Sequence, residues 1–123
     1  MPELGAVTPI LRIFDVAKAR EFYLDFLGFA VTFEHRFEPD LPLYMGIARD
    51  GCVLHLSEHY GDACPGSAVR ISVRDIEALH ADLLGQRRGF ARPGLETAPW
   101  NSREIRLTDP FGNRVTFFEN LPD

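Results

Sequence analysis

Asp50-Gly51-Cys52-Val53-Leu54-His55-Leu56-Ser57-Glu58 reads as a tight turn running into a strand, and its pattern returns further along the chain. Phe111-Gly112-Asn113-Arg114-Val115-Thr116-Phe117-Phe118-Glu119 lies over it, glycine on glycine and glutamate on glutamate. Asp-Gly between apolar runs is a strong hairpin signal. Asp109-Pro110-Phe111-Gly112-Asn113 is a turn by composition, since Pro supplies a fixed φ, Gly a left-handed φ, and Asp and Asn local acceptors. Behind each turn apolar residues alternate, as in a strand with one buried face.

Working back from the two copies, Asp15-Val16 is answered by Asp75-Ile76. Each aspartate can cap a helix by accepting from free backbone N–H groups. Val16, Ala19, Phe22, Tyr23 and Phe26 then follow at helical spacing, with Gly28 as the stop. Ile76, Leu79 and Leu83 mark the inner face of the second helix. Residues 7–14 and 68–73, ahead of the caps, are strand-like. So are stretches at about 30–37, 43–49 and 52–58, and again Ser102–Thr108 and 114–119. Strand, helix and three strands, then the same order again, is a duplicated α+β unit. Two βαβββ modules, about 5–60 and 66–120, are expected within a single domain over 1–123, joined at the Gly- and Pro-containing stretch 61–66.

These elements carry a family likeness. Asp15-Val16-Ala17-Lys18-Ala19-Arg20-Glu21-Phe22-Tyr23, running into Phe26-Leu27-Gly28-Phe29, resembles the first helix and exit of the vicinal-oxygen-chelate superfamily. That superfamily includes glyoxalases, extradiol dioxygenases and antibiotic-resistance proteins. Asp109-Pro110-Phe111-Gly112-Asn113 resembles its turn before the last strand. Pro9, Leu27-Gly28-Phe29, the stretch from Asp50 to Ser57, and Pro99-Trp100 through Arg103-Glu104 to Asp109-Pro110 resemble its bleomycin-binding branch in order and spacing. The resemblance implies a curved mixed sheet wrapped around a groove.

Composition narrows the class. A 46% apolar and 25% charged content is that of a globular protein. A net charge of −5 opposes nucleic-acid binding, which needs a positive surface to displace counterions, and favours cationic ligands. No apolar run approaches the roughly 18 residues of a membrane span, and Met-Pro-Glu-Leu-Gly lacks the basic opening of a signal peptide. The expected location is the cytoplasm, with no membrane and no nucleic acid as partner. Cys52 and Cys64 form no CxxC pair, and Cys52, in an apolar stretch, reads as a buried free thiol.

Metal-dependent members of the resembled superfamily place ligands on the first and last strand of each module. Counting from the two aspartate caps and the two glycine turns puts those positions at Thr8, His55, Ala68 and Thr116. Only His55 is an ordinary ligand, and a divalent ion needs at least three donors of the His, Asp, Glu or Cys type. The expectation is therefore no metal and no cofactor. Ser57-Glu58-His59 does not read as a triad, because alternation sends Ser57 and Glu58 to opposite faces, and no glycine-rich phosphate loop is present.

The groove-facing parity still carries information. Phe33 and Phe37 share one face of the second strand, and Trp100 follows Pro99 in a loop. Flat rings give large contact area at small entropic cost and attract cations. Resemblance to bleomycin-binding proteins implies that Phe33, Phe37 and Trp100 lie along a planar drug held unaltered. It also implies a homodimer with grooves at the interface and an N-terminal strand exchanged at Pro9. Where those proteins tend to carry an aromatic residue on the fifth strand, this chain has Arg70, which repels a cation unless a carboxylate such as Glu104 pairs with it. An anionic ligand held by Arg70 and Arg12 is the other option at this place. The expected ligand-binding set is Phe33, Phe37, His55, Ser57, Arg70, Trp100 and Glu104, with no catalytic residue. The expected function is metal-free sequestration of an antibiotic-like, flat and cationic small molecule. The alternative is a metal-dependent lyase, isomerase or dioxygenase using His55 with His59 or Glu104.

Overall fold

Asp15 does cap the first helix: its carboxylate accepts from the Lys18 backbone N–H at 3.1 Å in a computed structural model that describes residues 1–86 and 92–122. The helix runs as one α-turn, α1 (Val16–Ala19), and continues as a π-helical stretch over Arg20–Phe26. It turns Ala19, Phe22, Tyr23 and Phe26 into the core. Gly28 ends it at φ 79°, a left-handed backbone that suits glycine because no Cβ meets the preceding turn. Asp75 begins α2 (Ile76–Leu84) in the same way, accepting from Ala78 N–H. Sequence reading misses a second cap there. Glu119, on the last strand, accepts from the backbone N–H groups of Ile76 and Asp75 at 3.0 Å each, and these bonds pull its pKa below the usual carboxylate range.

Around these helices lie β1 (Ile10–Arg12), β2 (Ala30–His35), β3 (Tyr44–Arg49) and β4 (Cys52–Ser57) in the first module. The second has β5 (Ala68–Ser72), β6 (Glu96–Ala98), β7 (Ser102–Thr108) and β8 (Arg114–Asn120). The mixed sheet comes as two four-stranded sheets of the same order, β1-β4-β3-β2 and β5-β8-β7-β6. The first strand runs parallel to the last in each, and the other pairs are antiparallel. β6 is the third strand that the repeated order requires, too short to show an alternation in sequence.

One continuous core spans both modules, with Leu54, Leu56, Val115 and Phe117 at its centre. Tyr23 Oη donates to Asp109 Oδ2 at 2.6 Å across the modules, and Asn113 Nδ2 donates to Arg12 O at 2.8 Å. The Asp-Pro-Phe-Gly-Asn turn is thus a bolt as well as a bend. Asp109 accepts there from Tyr23, from Asn113 Nδ2 and from the backbone N–H groups of Phe111 and Asn113. Cys52 is half-buried, and burial pushes its thiol pKa up. Among the described residues no helix is long and apolar enough to cross a membrane.

Candidate functional site

With Leu54 and Leu56 turned inward, strand alternation turns Val53, His55 and Ser57 outward onto the opposite face of the first sheet. Register across that face sets Phe33, Gly46, His55 and Ile10 in one row, and His35, Tyr44, Ser57 and Arg12 in the next. Between Val31 and Phe33 the register of β2 shifts by one residue. Gly46 makes this row possible: a Cβ there would fall against the Phe33 ring and 2.7 Å from Thr32 Oγ1. Phe33 therefore lies across the strand, its ring 6.1 Å from Tyr44 in a stacked arrangement and 5.2 Å from His55 edge-on. Phe37 lies 4.7 Å from His35 and 6.1 Å from His59, and is 72% exposed.

Sequence reading misses Tyr44, although Tyr44, Gly46 and Ala48 alternate onto this face and could have drawn notice. Its hydroxyl meets His55 Nδ1 at 2.7 Å. Burial first, and the nearby Asp62 charge second, push the Tyr44 pKa up, so the phenol keeps its proton. Ser57 is fully buried, donating to Asp62 Oδ2 at 2.6 Å and accepting from His59 N–H at 3.0 Å. Its hydroxyl shapes the exit of β4. Arg12 donates to His59 O at 2.9 Å and lies over the Phe14 ring, so it is not grouped with Arg70.

The second sheet builds a different kind of wall. Ala98 pairs with Ser102, and the three-residue loop between them puts Asn101 in the left-handed region at φ 65°, which throws Trp100 outward, 59% exposed. Glu104 is 1% exposed and is the hub of this wall. One of its oxygens accepts from Arg70 at 2.9 Å, from Trp100 Nε1 at 2.8 Å and from Ser102 Oγ at 2.7 Å. The other accepts from Arg106 at 3.1 and 3.3 Å. The Arg70 guanidinium, followed by Ser102, holds the Glu104 carboxyl down at about 2. Arg70 also lies over Phe118, 4.5 Å from the ring centroid.

The structure thus groups Phe33 with His55, Phe37 with His59, and Arg70 with Trp100 and Glu104. Among the described residues, no hydrogen bond, ion pair or ring contact joins the first-sheet groups to the Glu104 group. A cleft of about 950 Å³ lies along the free edge of β5, bordered by Val7, Pro9, Val53, Arg70, Ser72 and Leu79.

Strand register sets Ile10 opposite His55 and Arg70 opposite Thr116, each two residues beyond the counted Thr8 and Ala68. Neither suits a cation, since Ile10 has no donor and Arg70 is itself positive. Among the described residues no three His, Cys, Asp or Glu side chains gather closely enough to hold a metal ion. The residues present do not fit a divalent metal.

Comparison with known proteins gives a coherent set of relatives. The family model described as "Glyoxalase superfamily protein" matches residues 3–122. The bleomycin-binding protein of bleomycin-producing Streptomyces verticillus, solved with copper(II)-bleomycin, is 28% identical, with a TM-score of 0.71 over 100% of both chains. TnmS3, an antibiotic binding protein from Streptomyces sp. CB03234, is 24% identical, with a TM-score of 0.76 over 98% of both chains. A glyoxalase/bleomycin resistance protein from the same Streptomyces strain is 25% identical, with a TM-score of 0.70 over 89% of this chain and 96% of that one. Among curated proteins, none matches the sequence.

Proposed function

The chain belongs to the glyoxalase superfamily, and from that premise we propose that it binds and sequesters a flat, antibiotic-like small molecule without a metal. The observation that carries the reading is the state of the large rings on the two outward faces. Phe33, Phe37 and Trp100 stay uncovered, yet the sheet beneath Phe33 and the Glu104 bond to Trp100 hold two of them in place. Pre-oriented flat surfaces beside a few fixed polar groups are what a planar ligand needs. His55 and Arg70 supply the polar contacts, the first held by Tyr44 and the second by Glu104, while Ser57 shapes the strand exit beside them. The Arg70–Glu104 pair lowers the charge of this wall without removing it, since Glu104 is shared with Arg106. The sequence likeness to the Streptomyces verticillus protein runs the full length of both chains and supports the same ligand class.

Sequestration takes place, on this reading, in a homodimer in the cytoplasm. Supporting it, Leu4 and Val7 are 97% and 85% exposed on an N-terminal segment outside the core, and every residue of β2 is exposed. The two ring-bearing walls, which among the described residues share no hydrogen bond, ion pair or ring contact, would face each other across such an interface.

Calorimetric titration with bleomycin, followed in parallel by the fluorescence of Trp100, is the test. Micromolar binding at one ligand per groove is expected, and sedimentation is expected to give a dimer. No heat and no fluorescence change would remove the drug-binding reading. The Tyr44–His55 bond favours one second reading, an acid–base lyase or isomerase, because it holds an imidazole in one orientation. Chemical change of a bound ligand, detected by mass spectrometry, would move the protein to that class.

A further inference from the structure

The two walls differ in electrostatic character. The first is made of ring faces and edges, with its one arginine, Arg12, tied to His59 O. The second carries Arg70 and Arg106 on its outward parity, flanking Thr116 from either side. Their carboxylate partners are spent: Glu104 accepts from four side chains, and Glu96 pairs with Arg106 at 3.5 Å.

Arg70 is held in an unusual way for a surface arginine. Phe118 supports one face of its guanidinium, and Glu104 fixes one NH₂ group. The same Glu104 oxygen holds the Trp100 indole N–H, so the flat head of Arg70 and the edge of the indole ring are pinned to one atom. Its side chain is nevertheless 48% exposed, and it borders the cleft along β5. A planar cation with one face on a ring and the other free is a stacking platform whose preference follows from charge. An electron-rich neutral or anionic ring is stabilised by lying on it, whereas a cationic ring is repelled.

We infer that Arg70 is the specificity-determining residue of the groove: its free guanidinium face, next to Trp100, takes an uncharged or anionic aromatic ring and excludes a cationic one. Any positive group of the ligand then lies toward the Phe33 and Phe37 wall. The inference rests on the proposed binding function and adds to it the polarity of the ligand.

Two probes of the same shape separate the cases at neutral pH: acridine, which is uncharged there, and N-methylacridinium, which is a cation. Binding to the whole protein is followed by Trp100 fluorescence. Wild type is expected to bind acridine about tenfold more tightly, a ratio set by one charge-assisted interaction. R70Q is expected to erase or invert that ratio. R70K, which keeps the charge without the plane, should still reject the cation but hold acridine more weakly. K18Q, the same charge change at an exposed position of the first helix, should leave the ratio within about twofold, since exposed charges outside the site are screened by water and salt. Thermal melting checks that each variant is folded. A preference for N-methylacridinium in wild type, or an unchanged ratio in R70Q, overturns the inference while leaving the binding function standing. Failure of both probes to bind wild type sinks the binding function and this inference with it.

Discussion

Replacing Glu104 by glutamine should destabilise the protein by about 2 kcal/mol at neutral pH, and the cost should shrink in acid. Glu104→Gln preserves shape and one carbonyl oxygen, which can still accept from Trp100, Ser102 and Arg70. The other oxygen, which accepts from Nε and one NH₂ group of Arg106, becomes an NH₂ group facing two donors. Buried charge-assisted bonds contribute about 1.5–3 kcal/mol each, but half-exposed partners that can turn to water reduce this several-fold. Arg70 and Arg106 have 48% and 53% of their side chains exposed, so the lower part of the range applies. For a domain of this size, about 2 kcal/mol corresponds to a fall in Tm of roughly 5–10 °C.

The pH dependence gives the sharper check. The folded carboxyl is held at about 2 against an ordinary 4.5, so between these values the unfolded chain binds the extra proton. Stability from this group is fully present above pH 4.5 and is lost as pH falls toward 2. Urea unfolding of wild type and E104Q, followed by circular dichroism across that range, should give curves that converge. A difference below about 0.5 kcal/mol at neutral pH, the ordinary scatter of surface substitutions, would refute the argument. So would a gap that stays constant down to pH 2.

Two further substitutions probe the bolt between modules and the ring wall. Y23F removes the buried donor to Asp109, and urea unfolding should register a loss of about 2 kcal/mol, since the carboxylate keeps its other donors but loses a charge-assisted bond. G46A puts a Cβ where the Phe33 ring lies, so the exposed ring should swing off the sheet at a stability cost of about 1 kcal/mol, while acridine binding weakens by about fivefold. Unchanged acridine affinity in G46A would mean that Phe33 does not contact the ligand.

Legibility in the sequence followed the reach of the interaction concerned. Helix caps at Asp15 and Asp75, the stop at Gly28 and the inward parity of Leu54, Leu56, Val115 and Phe117 depend on residues a few places apart. Local spacing therefore displays them, and their repetition was enough to reach the fold. Parity likewise put His55 and Arg70 on outward faces, because alternation has a period of two whatever the neighbouring strand does.

What parity leaves free is the slide of one strand past another. That slide decided that Ile10 rather than Thr8 meets His55, that Tyr44 reaches the imidazole, and that Phe33 crosses Gly46. The hub at Glu104 belongs to the same class: Trp100 and Ser102 come from its own hairpin, but Arg70 arrives from a strand thirty-four residues away. Residue order alone therefore determined the duplicated architecture and the facing of each side chain. Only the folded chain decided which facing side chains touch, because inter-strand register is set by hydrogen bonding and core packing summed over whole sheets, with no signature in any short stretch.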